Sequence, residues 1–443
     1  MGILSYVIAG LSLATVVCAE PKAPVCKEKL VIISPHRKST QIEFVEAFKE
    51  HYLKTYTCSI VVDWLDQGGA SDDMKFVLSR FERTPASCGV DVFWGGGEHP
   101  HYELNRRKLS LPFILSPELK KEVPPVVAGV ALYNKEETWH AAALSSFGLF
   151  FNKTLLKKLK ISEPEDWQDL ADPVFMDHLS NADPRRSSSN VTMTMVLLQA
   201  YGWQKGWEIL SGIAANTRSF THSSSDPIKA VVTGDALASM SVGFYAIAKV
   251  SELGSDKLAY VFPAKHSILN PDPISILKGA ANQQAAERFI EFVLSASGQK
   301  LFLLPQGMEG GPKHSSLARM SVNKRAYSET KVKNISELDP FALQISPMML
   351  DVDRVTTLQF IFTDLLGAVQ IDSHKELKKA WQMMIKRGNK AQDRALLAAP
   401  PLSEAELLAL AEKWSDAKLR NEVINQWVKT TAKKYDDYVK NAQ

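Results

Sequence analysis

Short polar residues and glycines recur in this chain directly after apolar runs and directly before helical patterns. Such positions offer hydroxyl groups, free backbone N–H groups and the positive ends of helices, which suit phosphate, phosphonate or carboxylate groups. In an open α/β sheet, strand ends and the following helix starts meet at one cleft. We therefore predict a ligand site that contains Ser34, His36, Gly69, Ser71, Trp94, Gly95, Ser187, Ser188, Ser189 and Ser225.

Each of these residues also has a purely structural interpretation. A serine at a helix start is most often an N-cap, which applies to Ser189 and Ser225. Trp94 is also explained as a core residue, and Gly95 as part of a flexible turn. His36 is also explained as a histidine at the edge of the cleft. The sequence leaves both interpretations open for these positions.

A second cluster of reactive residues is the segment Glu98–Glu103, which reads EHPHYE and holds four potential metal ligands. No distant Cys or His completes a recognisable metal-site spacing, so a surface loop without metal is favoured over a metal site. Hydrolase, metalloprotease and P-loop motifs do not occur in the sequence. We therefore predict that the protein is not an enzyme and needs no cofactor.

Alternating strands and helices position the first group of candidates. Leu30–Ser34, Ile60–Trp64 and Val90–Trp94 are predicted strands, and helical patterns lie between them. This β-α-β-α-β order predicts a parallel sheet with helices on its faces.

The remaining boundaries follow from changes in pattern along the chain. We predict one lobe from residues 27–132 together with 274–327, and a second lobe from 133–273. Two crossing segments near 130–144 and 261–273 would form a hinge, which places Asp272 near the cleft. Residues 328–443 are predicted to form a C-terminal helical extension.

Length and composition fit a soluble protein of two or three domains. The 443 residues are 45% apolar and 23% charged, with a net charge of +3. These values are ordinary for globular proteins and argue against extensive disorder. No dense Lys/Arg block occurs, so nucleic acid is not an expected partner.

The N-terminus carries an apolar run from Ile3 to Val17, which is short for a membrane span. It suits a secretory signal with cleavage after Ala19, so residues 1–19 are predicted to be a signal peptide and the protein periplasmic or otherwise extracytoplasmic. A lipid anchor at Cys18 is one alternative, and a buried N-terminal helix is another.

Three cysteines would remain after cleavage, namely Cys26, Cys58 and Cys88, and each precedes a predicted strand. With strand order 2-1-3, Cys26 is adjacent to both others, at about 4.8 Å between strands. The sequence thus predicts Cys26–Cys58 or Cys26–Cys88 in an oxidising compartment. Three free thiols remain the alternative.

The segment Asp272–Pro312 has a strand, an amphipathic helix and a second helical turn. Together with Asp91-Val92-Phe93-Trp94 and Asp166-Trp167, it resembles the solute-binding proteins of bacterial ABC importers, in their iron(III)-type branch. The resemblance covers roughly residues 28–330. It implies an α/β, two-lobed type II periplasmic binding protein fold, a small-molecule solute, and a monomer that delivers the solute to an ABC permease in the inner membrane.

Iron(III) members of that branch bind the metal through two adjacent tyrosines, and this chain has Phe244-Tyr245 there. Losing one anionic oxygen ligand weakens the ferric case, although His36 and Tyr245 remain an alternative ferric site. We therefore predict a small anionic solute, phosphorylated or carboxylated, captured by hinge closure, with Tyr245 and Asp272 among its contacts. Ferric iron is the first alternative. A non-transport interaction protein that acts through its helical tail is the second.

Overall fold

The computed structural model describes residues 26–330, 334–335, 338–344 and 347–442. The predicted signal peptide and the alternative lipid anchor lie outside the described residues. The strands are β1 (Cys26–Ile33), β2 (Cys58–Leu65), β3 (Val92–Trp94), β4 (Ser110–Leu111), β5 (Val126–Val127), β6 (Val130–Ala131), β7 (His140–Asn152), β8 (Leu179–Ala182), β9 (Thr217–Thr221), β10 (Ala238–Val242), β11 (Leu258–Val261) and β12 (Leu269–Leu277).

The helices are α1 (Lys38–Tyr56), α2 (Ala70–Arg83), α3 (Glu98–Arg106), α4 (Pro117–Glu122), α5 (Lys153–Leu159), α6 (Ser188–Tyr201), α7 (Trp203–Asn216), α8 (Asp226–Thr233), α9 (Gly243–Leu253), α10 (Gln283–Leu294), α11 (Ala296–Leu303), α12 (Lys324–Glu329), α13 (Val352–Leu366), α14 (His374–Lys386), α15 (Ala391–Ala398), α16 (Glu404–Ala411) and α17 (Ala417–Ala442). A π-helical stretch, Gly367–Asp372, follows α13. Within the described ranges, none of these helices is both long and apolar enough to cross a membrane.

The main sheet has the strand order β2-β1-β3-β12-β7-β10-β8-β9, with β4 beside β12 and β11 beside β7. Strand β1 pairs in parallel with β2 and β3, as the β-α-β-α-β pattern predicted. Strands β12 and β7 are antiparallel and lie in the middle of the sheet. The fold is therefore α/β with two lobes, the first built on β2-β1-β3 and the second on β10-β8-β9.

Strands β7 and β12 connect the two lobes. The first part of β7 packs into the core of the first lobe through Ala141 and Leu144, and its later part packs into the core of the second lobe through Phe147 and Phe151. Nearly every residue of both strands is buried, as is typical of central strands covered on both faces. The register of β12 shifts between Asp272 and Pro273, so the irregularity lies at the crossing.

A third connection between the lobes comes from the segment before α13. Phe341 and Leu343 pack against the core of the first lobe, whereas Met348 and Leu350 pack against that of the second. The backbone N–H of Met348 donates to the carbonyl of Ser267 at 2.9 Å. The sequence had predicted two crossing segments only.

The helical extension packs against the second lobe. Phe362 of α13 contacts Trp207 of α7 edge-to-face, with 6.0 Å between ring centroids. Farther along, Trp381 and Tyr435 are buried with residues of α7 in a separate apolar cluster. Helices α13 to α17 lie within residues 328–443, the predicted C-terminal extension. The sequence did not predict what these helices do, because their apolar faces pack against the second lobe and this long-range contact leaves no local pattern.

Two helix starts have the Ser/Thr-x-x-Glu spacing of a capping box, but only one of them forms it. Ser403 and Glu406 form the capping box that their spacing indicates at the start of α16. Thr40 and Glu43 have the same spacing but form no capping box, because α1 starts earlier, after Arg37. The carboxylate of Glu43 instead accepts backbone N–H groups from residues 313–315 and holds that loop against α1.

Of the two disulfides that the sequence allowed, Cys26–Cys58 is formed. The two residues are directly paired in the β1–β2 register, with 4.7 Å between their Cα atoms. The third cysteine, Cys88, is a buried free thiol. The strand order 2-1-3 that the disulfide hypothesis required is the observed order.

Candidate functional site

A cavity of about 470 Å³ lies between the two lobes. The first residues of several helices reach it, so free N–H groups and positive helix ends converge on one space. Among the charged residues on its wall are Arg37, Lys229, Lys249 and Arg319, set against Glu98 and Asp272. Its volume falls within the range of about 300–1,000 Å³ that is typical of small-molecule sites.

Seven of the predicted site residues line this cavity: His36, Gly69, Ser188, Ser189, Ser225, Tyr245 and Asp272. Ser189 is not the N-cap of α6, since Ser187 caps that helix by accepting the N–H of Asn190. Ser225 precedes α8 without capping it, and its hydroxyl lies 3.1 Å from that of Ser223. The hydroxyl groups of Ser189 and Ser225 are therefore not used as helix caps.

Five predicted residues do not line the cavity: Ser34, Ser71, Trp94, Gly95 and Ser187. Ser71 is exposed on α2, and Ser187 is committed to capping. Trp94 is fully buried and packs edge-to-face on Phe44, which matches its interpretation as a core residue.

Gly95 and Ser34 act on the ring of His36 rather than on the cavity. Gly95 has φ +91°, and a Cβ atom there would lie 2.8 Å from His36 Cε1, so only glycine allows the ring to sit where it does. Ser34 Oγ lies 2.7 Å from His36 Nδ1 and also accepts the backbone N–H of His36. These two positions hold the imidazole in a fixed orientation.

The other nitrogen of the His36 ring, Nε2, lies 2.8 Å from Asp272 Oδ2. Burial lowers the pKa of His36; the nearby Asp272 opposes this shift and Arg319 adds to it. The neutral ring then donates from Nε2 to Asp272 and accepts at Nδ1 from Ser34. Both ring nitrogens are thus used within the protein.

Arg319 pairs with the same carboxylate, with 2.6 Å between its Nη1 atom and Asp272 Oδ2. Burial alone would raise the pKa of Asp272, but the charge of Arg319 and the contact with His36 outweigh it and lower this pKa to about 2. Asp272 is therefore an anion at neutral pH, and its charge is compensated by Arg319.

Two guanidinium groups cover the aromatic pair Phe244-Tyr245 at the start of α9. Arg319 lies 4.2 Å from the centroid of Phe244, and Arg37 lies 4.0 Å from that of Tyr245. The rings pack on each other with centroids 4.1 Å apart. This arrangement presents positive charge to the cavity at the place where the iron(III)-type resemblance implied two tyrosines.

Residues Glu98–Glu103 belong to α3, so the predicted surface loop is wrong. His101 is buried, with its Nδ1 atom 2.7 Å from Ser275 Oγ. Among the described residues, it does not belong to a group of potential metal ligands. In the described part of the chain, the one group of three potential ligand atoms is Cys26, Glu28 and Cys58, and its cysteines form the disulfide.

Glu98 and His99 line the cavity from the start of α3. Burial raises the pKa of Glu98 to about 7, and burial lowers that of His99. The Glu98 carboxyl has no ion-pair partner among the described residues. It is therefore a group inside the cavity whose charge changes near neutral pH.

Sequence reasoning missed the cationic residues of the cavity. Arg37 could have been predicted as a site residue, because it directly follows His36 in the segment after β1. Arg319 could not, since it lies in an irregular segment far from Asp272 in sequence. The wall also includes residues of the helical extension that had no predicted role: Leu350, Val352, Val355, Thr356 and Gln359.

Comparison with known proteins agrees with this geometry. Residues 115–333 match the family model described as bacterial extracellular solute-binding protein. This segment is therefore similar to that family. In proteins that bind small molecules, a cavity at the junction of two lobes is a common place for the ligand.

Two curated relatives match this chain over parts of their lengths. The phosphoglycerate transport regulatory protein PgtC of Salmonella typhimurium is 31% identical over 162 residues, which cover 36% of this chain and 40% of the relative. An uncharacterized protein of Haemophilus influenzae is 27% identical over 227 residues, covering 51% of this chain and 64% of the relative. The chain thus spans less than two thirds of either relative.

Solved structures of periplasmic binding proteins share the fold. AfuA of Actinobacillus pleuropneumoniae, with fructose-6-phosphate bound, has a TM-score of 0.55 at 20% identity and covers 81% of this chain and 99% of its own. Iron-bound HitA of Pseudomonas aeruginosa has a TM-score of 0.58 at 17% identity and covers 76% of this chain and 99% of its own. The predicted two-lobed binding-protein fold is confirmed.

Proposed function

We propose that this protein is the extracytoplasmic solute-binding component of an ABC transporter, and that it captures a small phosphorylated or carboxylated solute between its lobes. The observation that carries the proposal is the pair of guanidinium groups, Arg37 and Arg319, stacked on Tyr245 and Phe244 beside the cavity. Arginine at such a site binds carboxylate or phosphate through two parallel hydrogen bonds.

The positions of the charges support an anionic ligand. Arg319 is compensated by Asp272, but no carboxylate in the described residues forms an ion pair with Arg37. Ser188 and Ser189 add hydroxyl and N–H groups at the start of α6. Apart from the Glu98 carboxyl, an anion would meet one uncompensated cation, helix N-termini and neutral hydroxyls, which lower the cost of removing it from water.

Capture would proceed by closure of the lobes about β7 and β12. The ligand would bind the loops of one lobe and be covered by the other, and closure would be favoured only by contacts made in the closed form. The protein would then deliver the solute to a permease in the inner membrane. A periplasmic location reached through the predicted signal peptide of residues 1–19 completes the proposal, with the lipid anchor at Cys18 as the alternative.

Ferric iron is the alternative cargo, with His36 and Tyr245 as its predicted ligands. The bonding of His36 speaks against it, because Ser34 and Asp272 occupy both ring nitrogens. The guanidinium over the ring of Tyr245 adds a positive charge where a trivalent cation would have to bind. The anionic solute is therefore favoured.

The second alternative, a protein that acts through its tail alone, is disfavoured by the packing of the extension. Leu358, Ile361 and Phe362 of α13 are buried in the core of the second lobe. The extension is thus part of the body that forms the cavity rather than a separate working module.

Isothermal titration of the purified full-length protein tests the proposal. The relatives suggest phosphoglycerate and fructose 6-phosphate as organic ligands, with inorganic phosphate and ferric citrate for comparison. We expect saturable binding of at least one organic phosphate, weakened roughly thirtyfold by Arg37→Ala because a hydrogen bond to a charged group is worth about 2 kcal/mol. The neighbouring Lys38→Ala, which does not line the cavity, is the matched control. Binding of ferric iron together with no response to any anion would overturn the proposal.

A further inference from the structure

The first turns of α13 form part of the cavity wall, although they lie outside the segment that matches the family. Val352, Val355, Thr356 and Gln359 follow the i, i+3, i+4, i+7 spacing of one helix face. Leu350, just before the helix, extends the same wall. One face of the C-terminal extension is thus directed at the ligand space.

The second lobe holds α13 in this position. Gln199 of α6 binds the segment twice, donating to the carbonyl of Met349 at 2.6 Å and accepting the N–H of Asp351 at 3.0 Å. The opposite face of the helix is buried, and Trp414 donates to Asp364 at 2.9 Å. Helix α13 is therefore packed against the second lobe at its start and along its opposite face.

The chemistry of this wall differs from that of the rest of the cavity. None of its lining residues is charged, whereas Arg37, Arg319 and the start of α6 provide positive potential elsewhere. Leu350, Val352 and Val355 are apolar. No hydrogen bond of the Gln359 side-chain amide occurs among the described residues, so the amide is free to bind a hydroxyl or a carbonyl group.

We propose that this face of α13 is a subsite for the uncharged organic part of the solute, and that the anionic group of the same solute binds the cationic part of the cavity. The inference rests on the proposed function and narrows the class of solute to organic anions that carry an uncharged part beside the anionic group. A cavity of about 470 Å³ is far larger than inorganic phosphate requires. Specificity among phosphorylated solutes would then come from the extension.

Two substitutions test the subsite by different means. Val355→Trp fills it, and Gln359→Leu removes the amide with little change of volume. Titration with phosphoglycerate, fructose 6-phosphate and inorganic phosphate should show organic-phosphate affinity reduced at least about tenfold by Val355→Trp. Gln359→Leu should reduce it about two- to tenfold, the effect of one hydrogen bond. Affinity for inorganic phosphate should stay within about twofold in both variants.

Phe360→Ala is the matched control, because Phe360 lies on the same helix and is 67% exposed. It should leave the affinity for every ligand unchanged. Normal organic-phosphate binding by both wall variants would overturn the subsite but leave the proposed function standing. The same conclusion would follow if the wall variants lost affinity for inorganic phosphate as much as for the organic phosphates. Absence of binding by the unmodified protein to all three ligands would overturn both proposals.

Discussion

His36 Nε2 and Asp272 Oδ2 lie 2.8 Å apart at the junction of the two lobes, and both side chains are at least 90% buried. The contact joins the segment between β1 and α1 to the irregular point of β12, where the chain crosses between lobes. Arg319 closes the cluster at 2.6 Å from the same oxygen. A buried charge cluster thus lies beside the proposed hinge, and its stability depends on all three partners being present.

Asp272→Asn should destabilise the protein by about 3 kcal/mol, because it leaves the buried Arg319 without a counter-charge. Denaturant unfolding at neutral pH measures the loss. The control is Asp72→Asn, whose ion pair with Lys75 is exposed and should contribute less than about 1 kcal/mol.

The same variant should change the acid response. Because the folded-state pKa of Asp272, about 2, lies below its ordinary value, its stabilising effect is present above about pH 4 and lost as the pH falls toward 2. Asp272→Asn should lack this component of acid destabilisation. An unchanged acid unfolding curve would show that the cluster does not act as described.

Removal of the disulfide should lower the free energy of unfolding by about 4 kcal/mol. The bond closes a loop with a sequence separation of 32, and its loss frees that loop in the unfolded chain. We expect Cys26→Ser/Cys58→Ser to lower the melting temperature and to abolish its response to reductant. Cys88→Ala, which affects the buried free thiol, should retain the response to reductant. Reductant sensitivity in the double variant would contradict the pairing.

Ser189→Asp should weaken the binding of an organic phosphate at least about tenfold, because it adds a negative charge to the cavity at the start of α6. Ser71→Asp is the matched control: it also lies in the first turn of a helix, but it is exposed and does not line the cavity. Calorimetric titration of both variants with an organic phosphate measures the difference in their affinities. Equal affinities for the two would remove the α6 start from the site.

The fold was largely predictable because it depends on local periodicity. The alternation of short apolar runs with amphipathic helices indicates the parallel arrangement of β1, β2 and β3, and this arrangement places Cys26 next to Cys58. The rule that ligands bind at strand ends and helix starts predicts His36 and Ser189 at one cleft, and the predicted crossing segments place Asp272 near it. All three residues line the cavity.

The rest of the site depends on long-range contacts that leave no local pattern. Arg319 comes from an irregular segment, and two backbone hydrogen bonds between the next residue, Met320, and Leu144 of β7 hold that segment near Asp272. Likewise, the sequence of α13 does not show that one of its faces lines a cavity, because the other walls of that cavity come from distant parts of the chain. The spacing of residues predicts that a helix has such a face, but it does not predict which residues or which cavity that face contacts.

Glu98 should make anion binding depend on pH. Burial raises its pKa to about 7, so the carboxyl is neutral below that pH and negative above it. The negative form lies in the same cavity as the proposed anion and should weaken binding. We therefore expect Glu98→Gln to bind an organic phosphate about as tightly as the unmodified protein at pH 6 and roughly tenfold more tightly at pH 8.

The comparison at each pH isolates Glu98 from the other titrating groups. A phosphate monoester itself loses a proton near pH 6, and His99 titrates below its ordinary range because it is buried. Both contributions are common to the two proteins, so the ratio of their dissociation constants reports Glu98 alone. A ratio that stays constant from pH 6 to pH 8 would place the bound anion away from α3 and confine the site to the guanidinium groups and the start of α6.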